Sequence, residues 1–204
     1  MQLPGRLERS FFERGCLAAA PDLLGAYLVH QVAPGDRRVG RIVEVEAYLG
    51  DGSDPGSHCH RGQTPRNRAM FGPPGRLYVY RSYGIHTCAN VVCAPSGQGA
   101  ALLLRALEPL AGLTAMRAAR GLGPAAPDRE LTNGPGKLCE AFGIALADYG
   151  TNLLRGHLSF RPRQAGDPPP RIARSTRIGL TKGREQRYRF FVADHPCVSR
   201  GRPS

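Results

Sequence analysis

The sequence predicts a mixed α+β fold. We expect a single compact domain over residues 1–204, with a curved, mainly antiparallel β-sheet shaped as a roll or an open barrel, helices flanking it and a protruding β-hairpin. Strand patterns outnumber helical patterns, their connections are short, and neither a repeat nor a linker divides the chain. At 204 residues the chain can bury a core without disulfides or metals.

The first half of the chain alternates short elements with one long connection. Residues 9–24 carry helical pieces that Pro21 should interrupt, because proline removes a backbone donor. A strand is predicted over 25–31 and a stronger strand over 39–48. Residues 49–75 are rich in Gly, Pro and Arg, and a loop of this length in a compact domain is usually functional or disordered.

The second half opens with a predicted β-hairpin. Its strands cover 77–82 and 85–93, and Tyr83 and Gly84 form the tip, where no core can cover the aromatic ring. The remaining elements are predicted in this order: a strand over 99–108, a helix over 110–120, a short helix after 134–139, a Pro-rich surface loop over 161–171, and two closing strands within 171–198 joined near 182–184.

The most informative segment is the alternating run over 43–48. Period-two alternation is typical of a half-buried strand and places Glu44, Glu46 and Tyr48 on one face, with neighbours about 6.5–7 Å apart. A carboxylate beside an aromatic ring can activate a water next to a stacked flat ligand. The alternative is a solvated face on an edge strand, since exposed Glu is common.

The charge balance favours a polyanionic partner. The formal net charge is +12 and the sequence pI about 10.1, which suits nucleic acid or an anionic membrane surface. Only two of the 28 basic residues are lysines, Lys137 and Lys182. Arginine is the better bidentate phosphate ligand, but a GC-rich genome would produce the same bias.

Cysteine usage and hydropathy exclude several classes. The six cysteines include no CxxC pair, and we expect reduced thiols in an intracellular protein without a signal peptide. His58-Cys59-His60 suggests zinc, but three consecutive residues cannot easily face one ion, so no metal is predicted. No apolar run approaches the ~20 residues of a membrane span, so no membrane partner is predicted.

Several segments together resemble the alkyladenine (3-methyladenine) DNA glycosylases, monofunctional base-excision repair enzymes. They follow the family's order over nearly the whole chain, which is far more specific than one motif. The matching segments are RIVEVEAYLG at 41–50, QTPRN at 63–67, MFGPPG at 70–75, LYVY at 77–80, YGIH at 83–86, LLRALEP at 103–109 and GPGKLC at 134–139.

The resemblance implies base flipping and hydrolysis of an N-glycosidic bond. Glu46 matches the general base that activates a water, and Arg105 would position that water or hold the nucleotide phosphate. The damaged purine should lie between Tyr48 and the pair of His58 and Tyr80. The family pattern also assigns Asn90 and Leu103 to the base pocket, Tyr83 and Ile85 to intercalation, and Thr64, Arg66, Arg61 and Lys137 to the DNA backbone.

Further expectations follow from the resemblance. The partner is double-stranded DNA containing damaged purines, of the 3-methyladenine, 7-methylguanine, hypoxanthine or ethenoadenine type. No cofactor and no lysine-based lyase step are expected. The enzyme should act as a monomer, in the cytoplasm and near the nucleoid if it is bacterial.

Structural alternatives stay open for three of these residues. Tyr80 could pack in the core, Asn90 could satisfy backbone groups at a strand edge, and Arg105 could form a buried ion pair with Glu44 or Glu108. Two other functions also remain: a lesion-binding protein of the same fold without excision activity, and a basic RNA-binding module. The sequence departs from the family pattern near the hairpin, which bears on how far Tyr83 reaches, and at 58–60, where His60 competes with His58. The spacing to QTPRN at 63–67 assigns His58 to the pocket.

Overall fold

One curled antiparallel sheet organises the protein. The computed structural model describes residues 2–199, and within them eight strands form the order β3-β4-β5-β2-β1-β6, with β8 pairing to β2 and β7 to β8. The elements are α1 (Arg9–Glu13), α2 (Cys16–Leu23), β1 (Tyr27–Ala33), β2 (Asp36–Tyr48), β3 (Leu77–Ser82), β4 (His86–Val92), β5 (Ala101–Ala111), α3 (Leu113–Ala119), α4 (Pro135–Phe142), β6 (Leu158–Arg161), β7 (Ile172–Ser175) and β8 (Arg189–Val192), with 3₁₀ turns at Arg68–Phe71, Asp128–Glu130 and Leu146–Asp148. The predicted α+β class and antiparallel sheet are confirmed.

Strand β2 lies at the centre of the sheet. It pairs with β5 along one edge and, along the other, with β1 through its first half and with β8 at 44–46. The interpretation of Glu44 and Glu46 as a solvated face on an edge strand is therefore wrong, because both residues are fully buried. A strand paired on both sides leaves neither edge open to solvent.

Alternation along β2 and β5 separates the core from the opposite face of the sheet. Val45, Ala47, Leu102 and Leu104 are fully buried in the main hydrophobic cluster. The side chains between them, including Glu46, face the other way. Burial of each such Leu or Val contributes about 1.5–3 kcal/mol, so the hydrophobic pattern fixes which residues face away from the core.

Irregular pairing between β2 and β5 sets the direction of the Arg105 side chain. Ile42 pairs with Leu107 and Glu44 with Ala106, but Val45 pairs with Leu104, so the register skips Arg105. An unpaired residue of this kind bends the strand locally and redirects its side chain. Here the redirected side chain is the guanidinium that contacts both buried carboxylates.

Several predicted boundaries were wrong. α2 continues through Pro21 to Leu23, and the interruption lies instead at Gly15, whose φ is +84°. Proline costs so short a helix only one backbone hydrogen bond. Strand β6 was missed because it has only four residues, and the helix predicted over 110–120 starts at Leu113 because β5 extends to Ala111. No helix among residues 2–199 is long and apolar enough to cross a membrane.

A buried histidine links β1 to the end of α4. His30 is 4% exposed, and its Nδ1 lies 2.7 Å from the carbonyl oxygen of Phe142. The His157 ring lies 5.2 Å away, centroid to centroid. Burial lowers the pKa of His30, helped by the charges of His157 and Arg38, while the Phe142 carbonyl and Asp148 oppose that change.

This histidine should make stability depend on pH. The folded pKa is lower than the unfolded value of about 6.5, so the unfolded chain binds the proton more readily. His30 therefore contributes its stability above pH 6.5 and loses it as the pH falls through the folded pKa. In urea unfolding between pH 7.5 and 5, His30→Gln should show a smaller decrease in unfolding free energy than the wild type. Equal slopes in the two proteins would contradict the assignment.

Candidate active site

The face of the sheet opposite the main core carries a cleft of about 560 Å³. Its floor is formed by Tyr48, Leu103 and Arg105 on β2 and β5. The β3–β4 hairpin, the start of α4 and the segment 178–180 form its walls. An inner recess of about 60 Å³ adjoins the cleft and shares Tyr48 and Tyr80 with it, and His58, Tyr78 and Asn90 also line this recess.

Cross-strand pairing places several of these residues in one row. Tyr78 pairs with Asn90, Asn90 with Leu103, Leu103 with Glu46, and Glu46 with Arg189. Residues directly opposite each other in an antiparallel sheet point to the same face. The row therefore joins the recess to the buried carboxylate across four strands, and Arg189 extends it to a fifth.

Glu46 is fully buried directly behind the cleft wall. Its Oε1 accepts a hydrogen bond from the Ile178 N–H at 2.8 Å, and its Oε2 accepts from the Tyr48 hydroxyl at 2.9 Å and from Arg105 Nη1 at 3.2 Å. All three donors belong to residues that line the cleft. The carboxylate itself lines neither the cleft nor the recess, but three groups from cleft-lining residues fix its position.

Glu44 balances the charges beneath the site. Its Oε1 accepts from Arg105 Nε at 2.9 Å, Arg189 Nε at 2.7 Å and the Ser199 hydroxyl at 2.8 Å, and its Oε2 accepts from the Ser199 N–H at 2.7 Å. Burial alone would lower the pKa of Arg105, but Glu46 and Glu44 raise it. The ion-pair alternative for Arg105 therefore applies, with Glu44 and not Glu108, and it leaves Arg105 at the cleft floor.

Aromatic rings enclose the recess. The Tyr78 and Tyr80 rings stack with centroids 5.5 Å apart, and the His58 ring meets Tyr80 edge-on at 4.6 Å. His58 Nδ1 lies 2.9 Å from the Tyr78 hydroxyl. Burial lowers the pKa of His58, assisted by Arg66, and raises the pKa of Tyr78 to about 12. Near neutral pH the recess thus presents an uncharged imidazole and uncharged phenols.

Asn90 and Leu103, the other two residues predicted for the base pocket, line different cavities. Asn90 is 4% exposed, lines the recess, and donates from Nδ2 to the Tyr78 carbonyl at 3.1 Å. Its amide therefore also satisfies a backbone group, as the structural alternative required. Leu103 is buried on the cleft floor beside Glu46.

The hairpin tip presents two apolar side chains to solvent. Tyr83 is 83% exposed and Ile85 is 68% exposed. Tyr83 has a φ of +50° and Gly84 one of +72°, so two consecutive residues adopt the left-handed conformation of a tight hairpin turn. Such a conformation is costly for a residue with a large side chain. Tyr83 is also one of the residues that line the cleft.

The four residues predicted to contact the DNA backbone are not equally close to the cleft. Lys137, in the first turn of α4, lines it. Arg66 donates to the Arg81 carbonyl and lies 5.8 Å from the Tyr80 ring centroid, on the outer side of the hairpin. Thr64 and Arg61 are exposed in the connecting loop and line neither the cleft nor the recess.

The HCH segment at 58–60 holds no metal-type cluster. His58 contacts Tyr78, while the Cys59 thiol is buried against the Met70 sulfur at 3.4 Å. Burial raises the pKa of Cys59 to about 12. Within residues 2–199 no three His, Cys, Asp or Glu side chains group as metal ligands. Of the two histidines, His58 is the one that lines the recess.

Sequence reasoning missed a buried ion pair behind Tyr48. Arg177 and Asp54 are both fully buried and joined by two hydrogen bonds of 2.6 Å. The closing segment 171–198, predicted only as two strands, supplies Arg177, the Ile178 amide and Arg189. The sequence gives no pattern that singles out Arg177 or Arg189, because one arginine among many in a basic chain carries no periodicity.

The sequence is similar to one protein family and to several named relatives. The methylpurine-DNA glycosylase family profile matches residues 10–196. Proteins provisionally named 3-methyladenine DNA glycosylase are similar over nearly their whole length: one from Burkholderia lata is 48% identical over 194 residues, covering 95% of this chain and 90% of the relative. One from Methanoculleus marisnigri is 47% identical over 197 residues, covering 95% and 98%. The chain therefore belongs to the methylpurine-DNA glycosylase family.

Proposed function

We propose that this protein is a monofunctional DNA glycosylase that flips alkylated or deaminated purines out of duplex DNA and hydrolyses their N-glycosidic bond with a water activated by Glu46. As a member of its family, it is a hydrolase of N-glycosyl bonds that acts on DNA. The proposal of base flipping and of Glu46 as the general base rests above all on one observation. A buried carboxylate is held by three groups from residues that line a cleft, and this cleft adjoins an aromatic recess.

The recess suits a flat base. A purine bound between Tyr48 on one side and His58 and Tyr80 on the other would gain about 1–3 kcal/mol from stacking. Electron-poor alkylated purines should stack well on uncharged tyrosines. Asn90 at the wall would obstruct the exocyclic amino group of guanine, and His58 would read position 6 of the purine.

Duplex DNA must open for a base to reach this recess. Tyr83 at the cleft mouth would enter the minor groove with Ile85 and fill the space that the flipped nucleotide leaves. Lys137 inside the cleft and Arg66, Arg61 and Thr64 outside it would contact phosphates. The net charge of +12 supports association with the polyanion.

Hydrolysis would proceed at the sugar. Water between the sugar and Glu46 transfers a proton to the carboxylate and attacks C1′ as the base leaves with the electron pair of its bond to C1′, and the negative charge of Glu46 stabilises the oxocarbenium-like transition state. Arg105 holds Glu46 in place and can orient that water. The free base and an abasic site are the products, and no covalent lysine intermediate is needed. The whole of residues 1–204 would act as one domain and as a monomer, because the site is complete within one chain.

A single-turnover excision assay tests this proposal. Duplexes with a labelled strand containing hypoxanthine or ethenoadenine, and alkylated DNA, are incubated with excess protein, and alkali then cleaves any abasic site. Strand cleavage only at the lesion supports the glycosylase. Tight lesion binding without excision would indicate the lesion-binding alternative, and equal affinity for undamaged duplex RNA would indicate the RNA-binding one.

The exposed ring of Tyr83 should be required for flipping but not for folding. Tyr83→Ser should lose at least about tenfold in affinity for lesion duplexes, since the wedge no longer offsets the few kcal/mol of unstacking. Its melting temperature should stay unchanged, because the ring is 83% exposed. Ile172→Ser, at another exposed apolar residue on β7, is the matched control. A large loss of thermal stability in Tyr83→Ser would instead identify a packing role.

A further inference from the structure

The guanidinium of Arg177 lies between two tyrosine rings. Its Cζ is 4.6 Å from the Tyr48 ring centroid and 5.4 Å from that of Tyr188. The side chain is fully buried and donates to the carbonyls of Ala47 at 2.9 Å and Gly183 at 3.1 Å, as well as to Asp54. Arg177 does not line the cleft or the recess, so it supports Tyr48 from behind.

Asp54 extends this support to the loop that carries His58. Besides the two contacts with Arg177, its Oδ2 accepts from the Leu49 N–H at 3.1 Å and its Oδ1 from the Gly56 N–H at 3.0 Å. Gly56 itself lines the recess. A Cβ at Gly56 would lie 2.9 Å from Arg177 Nη2, so loop and guanidinium are in close contact. One carboxylate thus fixes the end of β2 and the recess loop together.

The backbone of the next residue completes the connection. The Ile178 N–H donates to Glu46 at 2.8 Å, so the position of Arg177 also determines where that donor lies. Three functional parts therefore converge on one ion pair: the Tyr48 ring, the Glu46 carboxylate and the recess loop. A buried ion pair is weak evidence for stability, since well-packed apolar side chains often serve as well. Its many directional contacts are better explained by positioning.

We propose that the Arg177–Asp54 pair is a positioning pair for the reaction, which holds the Tyr48 ring and the Glu46 carboxylate in register with a base seated in the recess. This inference rests on the proposed function. Loss of the pair should misplace ring and carboxylate by a fraction of an ångström to an ångström, and misplacement of that size can slow a reaction by about 100-fold.

Arg177→Lys and Asp54→Asn test the pair. Lysine keeps the positive charge but cannot reproduce the two-pronged contact with Asp54, and asparagine keeps the shape but loses the charge. Arg38→Lys is the matched control, because Arg38 is also buried, makes two contacts with Asp36 and donates to the Ala141 carbonyl, but lines neither cavity. All variants are full-length chains, with melting temperatures measured alongside.

Two readouts separate positioning from folding. One is the single-turnover excision rate at saturating protein, and the other is the fluorescence of ethenoadenine in a bound duplex, which reports stacking of the flipped base without requiring excision. We expect Arg177→Lys and Asp54→Asn to excise about 100-fold more slowly and to change the stacked-base signal, with undamaged-duplex affinity within twofold of the wild type. Arg38→Lys should lose thermal stability but keep both readouts.

Equal rates and signals in the Arg177, Asp54 and Arg38 variants would overturn the proposal. If both site variants fail to fold, Asp54→Glu replaces them, because it keeps the negative charge but lengthens the side chain by one methylene and so displaces the pair; an unchanged rate and signal there would also overturn the proposal. If the wild type stacks ethenoadenine without excising it, the proposed hydrolysis is refuted but the positioning proposal is not. The stacking signal of the variants would then decide whether the pair positions Tyr48.

Discussion

Glu46→Gln should reduce base excision by at least about 1,000-fold while the protein still binds lesion-containing duplexes. General-base catalysis contributes about 10²- to 10⁴-fold, and the same carboxylate would also stabilise the positive charge that develops on the sugar. Glutamine can still accept the Ile178 N–H, so the backbone at 178 need not move. The measurement is single-turnover excision from hypoxanthine and ethenoadenine duplexes.

The control for this variant is Glu108→Gln. Glu108 is partly exposed and lies 3.7 Å from Arg41 and 3.8 Å from His195, away from the cleft-lining residues. It should excise at the wild-type rate. If Glu46→Gln excised at that rate as well, Glu46 would not be the general base, and a contaminating activity would have to be tested for.

Glu44→Ala should destabilise the fold by about 3–5 kcal/mol. The substitution removes the carboxylate that the buried guanidinium of Arg189 contacts and leaves Arg105 with Glu46 alone, and an unpaired buried charge costs about this much. Urea unfolding measures the loss. Glu108→Ala is the comparison, since partly exposed pairs contribute about 0–1 kcal/mol. A loss below 1 kcal/mol in Glu44→Ala would show that Glu44 does not neutralise the site.

Local pattern was sufficient for much of the fold and for the residues on its strands. Period-two alternation located β2, β3 and the hairpin, and it placed Glu46 on the same face as Tyr48, which the hydrogen bond between them agrees with. The same pattern could not tell a central strand from an edge strand. That difference depends on pairing with β8, whose residues are more than 140 positions away along the chain.

What the sequence could not supply was contact between distant segments. Arg177 and Asp54 each lie in irregular chain, with no periodicity and no motif spacing, and they meet only because the 176–188 connection folds back over the end of β2. The errors at Pro21 and β6 were local. At Pro21 tertiary packing overrode the preference for a helix break, and β6 has only four residues, too few for an alternating pattern to identify it.

The double-sided pairing of β2 has a consequence for how activity should disappear on heating. Its backbone groups bond β5 on one edge and β1, the Gly25–Ala26 segment, β8 and Tyr188 in succession on the other. Amides in such a strand exchange with solvent only when the whole molecule opens, whereas those of a hairpin tip exchange through local opening. Glu46, the proposed general base, therefore stands on the last part of the molecule to open, and Tyr83, the proposed wedge, on one of the first. Lesion capture should fail before the chemistry does.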